Sequence, residues 1–225
     1  MSELTLFGSL EVSRTWWVEW ALRELDIQFN NEPQGHLDSV WKAPAYLALN
    51  PNGLVPSIKD GDFVLWESMA INLYLAKKYG RGRLCPETLE GEALASQWSF
   101  WAMTRLEVPI LVLTAANRQY PPGSDMERYY LKHVPMWTPE EVARSRAVLA
   151  GPFKVLNEQL ASRPFLLGSE FSIADLNVAA ILSRNAGAKI SLADKPNMAS
   201  WLQRCWSRSE CPRRDSLLEA LNRVC

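Results

Sequence analysis

An α/β unit followed by an all-helical unit is the fold class this chain predicts, and three observations carry it. A strand–helix–strand–helix–strand–strand–helix order is complete by residue 80. The stretch RGRLCPETLEG, at residues 81–91, carries glycines and a proline but no apolar periodicity, and reads as a connector. Beyond it no strand pattern recurs, while helical periodicity does. The expected division is residues 1–80, a linker at 81–91, and a helical domain at 92–225.

Residues 4–7 (LTLF) read as a short buried strand, turned by Gly8-Ser9. Over 15–25 the pattern becomes helical: Trp16 and Trp20 lie one turn apart, as do Trp17 and Ala21, with Arg23 and Glu24 on a wet face. A second strand is expected at 27–29. PAYLALN suggests a short helix ending before Pro51, because the residue before a proline is pushed out of helical conformation. Asp60-Gly61 is the clearest local signal, a two-residue hairpin turn in which glycine tolerates the positive φ of primed turns. Its strands are 55–59 and 62–66. A helix follows at 68–79, with Ile71 and Leu75 on one side and Gly80 as its stop. Further helices are expected at 92–116, 139–161, 173–185, 197–207 and 212–224, and QYPPGSD marks a loop near 120–137. SEFSIADL carries a capping box, Ser172 with Asp175, and places Phe171 and Leu176 for a hydrophobic staple.

The chain has 225 residues, 48% of them hydrophobic, enough to bury a real core. Its net charge of -1 comes without any basic run to neutralise phosphates, so no nucleic-acid partner is expected. No apolar stretch approaches the ~20 residues that span a bilayer, so no membrane partner is expected either. MSELTLFGSLEVSRT has neither the basic region nor the apolar core of a secretion signal, and the expected compartment is the cytoplasm. Cys85, Cys205, Cys211 and Cys225 match neither a metal-binding pair nor a Cys-x-x-Cys motif. With His36 and His133 the only histidines, neither a metal site nor a Ser-His-Asp triad is expected.

The phrase NPNGLVPSIKDGDFVLWESMAINLYLAKKYG resembles the glutathione transferase family, of the cytosolic, serine-using kind. The resemblance is strongest over residues 45–80 and extends to SRTWWVEWALREL and GSEFSIADLNVAAIL. It implies a thioredoxin-like N-terminal domain that holds glutathione, and an all-α C-terminal domain. It implies glutathione as co-substrate, no further cofactor, a small hydrophobic electrophile as second substrate, and a role in detoxification. It also implies a homodimer, the N-terminal domain of one subunit packing on the helical domain of its partner.

Each implied site residue has a physical rationale. At Val55-Pro56 the resemblance implies a cis peptide, which X-Pro bonds disfavour by only about 0.5–1 kcal/mol. Val55 is then left with unpaired backbone groups, onto which the cysteinyl backbone of glutathione adds like an extra strand. From the residues alone, a proline opening a strand is the duller account. Ser68 stands at a helix start, where unpaired N–H groups and the helix dipole favour a carboxylate. It is implied to hold the γ-glutamyl α-carboxylate, and Glu67 the neighbouring α-ammonium. Plain helix capping is compatible with that role. Lys42 is implied to hold the glycine carboxylate, or else is a solvated surface lysine. Leu54 and Trp41 depart from the polar residues many relatives carry there, which removes hydrogen bonds to the tripeptide.

The resemblance implies a catalytic Tyr, Ser or Cys between the first strand and first helix; the loop GSLEVSRT contains no Tyr and no Cys, which leaves Ser9, Ser13 and Thr15 as candidates. The resemblance favours Ser13, whose other reading is a plain N-cap before Thr15. Its implied role is to donate to sulfur, not to attack. A thiol of pKa ≈ 8.5 is mostly protonated at neutral pH. About two units of lowering need only ~2.7 kcal/mol of differential stabilisation from a hydroxyl and a helix N-terminus. Trp98, Trp101, Met103, Arg105 and Leu106 lie on the first long helix of the second unit, one face of which the resemblance assigns to the electrophile's pocket; an aromatic stripe is more often core than pocket, and none of these is taken as a site residue. Reuse of the fold for binding or assembly without catalysis stays open at this point. A dithiol oxidoreductase does not, for want of a Cys-x-x-Cys.

Overall fold

The computed structural model describes residues 4–11, 14–33, 42–118 and 137–225. Strands β1 (Leu4–Phe7), β2 (Asn30–Glu32), β3 (Ser57–Asp60) and β4 (Phe63–Trp66) form one sheet in the order β2-β1-β3-β4. β1 runs parallel to β2 and antiparallel to β3, which pairs antiparallel with β4. Helices α1 (Thr15–Glu24), α2 (Pro44–Leu47) and α3 (Ser68–Tyr79) complete this unit. The hairpin turn is as expected, with Gly61 at φ 61° and Asp60 opposite Phe63.

Every residue of α1 except Arg23 is buried, because the helix lies between the sheet and the helical unit. Trp16 stacks on Trp20 at 6.3 Å, one turn apart as the sequence requires. The second strand is displaced from its expected position at 27–29. Asp26 turns the chain with φ 54°, the Ile27 amide bonds back to the Leu22 carbonyl (3.0 Å), and the strand forms only at Asn30–Glu32. Ile27 and Phe29 pack on the core without joining the ladder. A polar edge strand reading Asn-Asn-Glu has no apolar alternation for sequence reasoning to find. β3 starts at Ser57, not residue 55, since Pro56 has no amide to donate to the ladder.

The helical unit opens with α4 (Leu89–Ala102), a π-helical segment at Met103–Glu107, and α5 (Val108–Asn117), which form one run. α4 begins three residues before its expected start, capped by Thr88, whose hydroxyl accepts from the Gly91 amide at 3.1 Å. Pro109 cannot donate to the Arg105 carbonyl, and the widened turn just before it accommodates that loss. By length and composition the run Leu89–Asn117 could cross a membrane, contrary to the expectation above. Here, however, 44% of its apolar window is buried and it packs against the central helix at Ile173–Leu182.

The expected helix at 139–161 is two, α6 (Pro139–Val148) and α7 (Ala150–Gln159), with Pro152 just past the break. α8 (Ile173–Leu182) is buried on all sides, and α9 (Pro196–Trp206) and α10 (Arg214–Asn222) close the unit. The capping box is present: Asp175 accepts from the Ser172 amide (3.0 Å) and hydroxyl (2.8 Å). It also accepts from the Leu166 amide and the Trp201 indole, both at 2.8 Å. The expected loop near 120–137 lies almost entirely outside the described residues. One hydrophobic cluster runs from Leu4 and Ile58 through α1 and α3 to α8 and α9, so the two units share a core.

Candidate functional site

Strand register gathers the site. Phe7 pairs with Ser57, and Ser57 pairs with Trp66. Phe7 also pairs with Glu32 of the parallel neighbour. Gly8, which follows β1, Val55-Pro56, which precede β3, and Glu67-Ser68, which follow β4, therefore meet at one end of the sheet. A Cβ built on Gly8 would lie 3.1 Å from Val55 Cβ and 2.2 Å from Thr15 Oγ1, so only glycine lets these segments approach.

Val55-Pro56 is cis, and among the described residues neither backbone group of Val55 has a hydrogen-bond partner. The residue before it is held twice: the Leu54 carbonyl accepts from the Tyr46 hydroxyl and from Asn50 Nδ2, both at 2.7 Å. The Tyr46 hydroxyl also bonds Ser57 Oγ at 3.0 Å, and burial pushes its pKa up. Asn50 Oδ1 accepts from the Asn52 amide at 3.1 Å. Sequence reasoning missed both residues, although Asn before Pro-Asn-Gly is a turn signal that could have pointed to Asn50. The Leu54 side chain itself is exposed.

Glu67 has φ 74° and ψ 114°, a strained conformation for a residue with a side chain. It turns the chain from β4 into α3. Its carboxylate is exposed and has no partner among the described residues. Ser68 is 1% exposed, yet among the described residues its Oγ has no hydrogen-bond partner. The amides of Ser68, Met69 and Ala70 likewise bond no internal acceptor among the described residues. Buried polar groups are normally satisfied, so this cluster of donors is what a carboxylate would complete. Lys42 is exposed, and its Nζ reaches the Asn52 carbonyl at 3.3 Å, on the loop that leads into Val55.

The β1–α1 loop faces this cradle. Ser13 lies outside the described residues. Arg14 occupies the N-cap position of α1 without a side-chain cap, and the Trp16 amide has no acceptor among the described residues. Ser9 is half-buried and its Oγ accepts from the Glu11 amide at 3.3 Å. Thr15 is fully buried behind Gly8.

Two ionic clusters, also missed by sequence reasoning, bind the two ends of α1 to the helical unit. Buried Glu107, at the end of the π-helical segment, accepts from Arg14 (2.7 Å) and Arg184 (2.9 and 3.1 Å). Both guanidinium groups lie over Trp17, at 5.5 and 4.8 Å. Burial lowers the Arg184 pKa against the opposing pull of Glu107. Arg208 forks onto Glu24 at 2.7 and 2.6 Å, and its pKa is raised by that hydrogen bond. Beside them, Asn72 donates to Asn177 (2.8 Å), which donates to Ser99 (2.9 Å), a buried polar chain across the units. Trp98 and Leu106 belong to the core, whereas Trp101 and Met103 are partly exposed and Arg105 is exposed.

Residues 2–77 match the family described as glutathione S-transferase, N-terminal domain, and residues 106–209 match glutathione S-transferase, C-terminal domain. The chain is 31% identical to glutathione S-transferase F9 of Arabidopsis thaliana over 162 residues, covering 69% of this chain and 68% of that one. It is 28% identical to the glutathione S-transferase GstB of Escherichia coli K12 over 214 residues, 91% and 94% of the two chains. The crystal structure of a theta class glutathione S-transferase from Xanthomonas axonopodis pv. citri, with glutathione bound, superposes with TM-score 0.79 at 25% identity, covering 95% and 97%. This chain belongs to the glutathione S-transferase family of enzymes.

Proposed function

We propose that the protein binds glutathione on Val55, Glu67 and Ser68, with Lys42 at the glycine end, and activates its thiol for attack on a small hydrophobic electrophile. The reaction is conjugation, substitution or peroxide reduction, in a detoxifying role and in the cytoplasm. The observation that carries the reading is Ser68, buried and without a partner beside the unpaired amides that open α3. An amino acid's carboxylate would satisfy the hydroxyl and the amides together, and the exposed Glu67 carboxylate stands next to it for the ammonium. Val55 supplies an unpaired donor and acceptor to the cysteinyl backbone. The thiol then falls beside the β1–α1 loop, where Ser13 donates to sulfur and favours the thiolate.

The functional division is residues 1–80 for glutathione, 81–91 as linker and 92–225 for the electrophile, with no cofactor or metal required. The active form is a homodimer. Edge strand β4 exposes Phe63 (47%) and Trp66 (38%), and α4 exposes Leu94 and Phe100, apolar surface that a second copy would cover. Light scattering at micromolar concentration checks this, and a monomer mass refutes it.

Catalysis is tested with Ser13→Ala. The rate on a model aryl halide at neutral pH should fall while glutathione affinity survives, the mark of a group acting on the reactive atom. Ser9→Ala is the control. Retention on immobilised glutathione without turnover in the parent protein would favour a non-catalytic binding role instead.

A further inference from the structure

Among the described residues of the β1–α1 loop, the Gly8 amide donates to the Glu32 carbonyl at 2.9 Å, and side chains from elsewhere hold much of the rest. Asn31 holds its start, donating from Nδ2 to the Leu6 and Gly8 carbonyls, each at 3.0 Å. The Arg14 ion pair with Glu107 holds its end. Between them, Arg213 Nη2 donates to the Leu10 carbonyl at 2.9 Å, 203 positions earlier in the chain, and to the Glu11 carbonyl. The same guanidinium lies 4.9 Å from the centre of the Trp16 ring.

Arg213 reaches the loop from a fixed base. It occupies the N-cap position of α10, where its carbonyl accepts from the Leu217 amide and the Ser216 hydroxyl, each at 3.0 Å. Cys211, two residues before it, is buried. A planar guanidinium presented from a rigid helix start holds two successive carbonyls and an indole face at once, which a flexible ammonium does not.

We propose that Arg213 is a positioning residue for thiol activation: from the start of the last helix it sets the backbone at Leu10 and Glu11, in the loop to which the proposed function assigns activation of the thiol. This rests on the function proposed above. A hydrogen bond to sulfur depends steeply on distance and angle, so a loop free to shift loses activation while the tripeptide, held by the cradle, stays bound. Glu19 and Glu11 are the carboxylates whose charges act on Arg213, so charge and position must be separated by the choice of variants.

The test compares Arg213→Ala and Arg213→Lys with the parent, and takes Arg214→Ala as control, since Arg214 pairs only with its neighbour Asp215 among the described residues. Bound thiolate is titrated by ultraviolet absorbance, glutathione affinity is measured by calorimetry, and exchange of the Ser9, Leu10 and Glu11 amides is followed with deuterium. Arg213→Ala should raise the pKa of bound glutathione by about one unit, roughly tenfold less thiolate below both pKa values, with affinity little changed. Loop exchange should quicken with or without glutathione. Arg213→Lys keeps the charge but loses the planar guanidinium that lies against Trp16, and should fall between Ala and parent. If Arg213→Lys titrates like the parent, charge and not position is responsible and the proposal fails; it also fails if rate and affinity fall together in Arg213→Ala. A parent that holds no glutathione defeats the functional reading and the activating half of this proposal. Unchanged loop exchange in Arg213→Ala defeats the positioning half on its own.

Discussion

The cradle of Val55, Glu67 and Ser68 and the loop opposite it share one end of the sheet but are held in different ways. The cradle is local. A single hairpin brings its two halves together, and its nearest supports, Tyr46 and Asn50, lie within a dozen residues of Val55. The loop is held by Asn31, Glu107 and Arg213, side chains drawn from three distant parts of the chain. One side of the site is therefore set by the fold of a short segment, and the other by how the helical unit docks. Binding and activation should respond to different mutations.

The sharpest separation comes from Glu107→Gln. It leaves Arg14 and Arg184 beside each other without the buried carboxylate that both contact. Breaking a buried ion cluster by removing one member costs about 3–5 kcal/mol. The urea midpoint should drop with an unchanged slope, and thiol activation should weaken with it. A variant as stable as the parent would show that the cluster does not staple the units.

Ser68→Ala should do the reverse. Its hydroxyl has no internal partner to lose, so stability should hold or rise slightly. Glutathione affinity should fall by about 1–3 kcal/mol, the cost of a hydrogen bond to a charged group in a buried site. Calorimetry on the folded variant decides it, and unchanged affinity removes Ser68 from the cradle.

The same contrast explains what was legible in the sequence. The hairpin, the α3 start and Val55-Pro56 announce themselves within a few residues, through turn chemistry and an adjacent Glu-Ser pair. Glu107 and Arg213 carry no local mark, because a charged residue on a helix reads as a solvated face until the docking of two units buries it. β2 stayed hidden for another reason: its position is set by the parallel ladder to β1 and not by apolar alternation. Nor does anything in the sequence show Thr15 closed in behind Gly8.

Away from the site, Asp60 offers a control whose effect should appear only in acid. One of its oxygens accepts from Lys78 (2.7 Å) and from Tyr74 and Tyr79 (2.8 Å each). Burial raises its pKa, but Lys78, Tyr79 and Tyr74 together overcome that and hold it below the ordinary value of 3.8. A carboxyl whose folded pKa is depressed contributes stability in full above its unfolded pKa and loses it as pH falls through the folded one. Asp60→Asn should thus flatten the fall in stability below about pH 4 and leave the parent's pH profile above that unchanged in shape. An acid limb as steep as the parent's would place the titration elsewhere.

The smallest effect tests whether the cradle's support is shared. Tyr46 and Asn50 donate to the same Leu54 carbonyl at the same distance, so either can hold it when the other is gone. Tyr46→Phe should then lower glutathione affinity by no more than about 1 kcal/mol, the net worth of one neutral hydrogen bond. Asn50→Ala should cost somewhat more, because Asn50 also fixes the Asn52 amide and with it the loop that Lys42 touches. Removing both frees the carbonyl next to Val55, and the double variant should lose more affinity than the two single variants combined. A coupling of about 0.5 kcal/mol or more in a double-mutant cycle is the expected signature of two donors on one acceptor. Strict additivity would mean that the cis Val55-Pro56 segment keeps its place without either donor, and that sheet register alone positions the cradle.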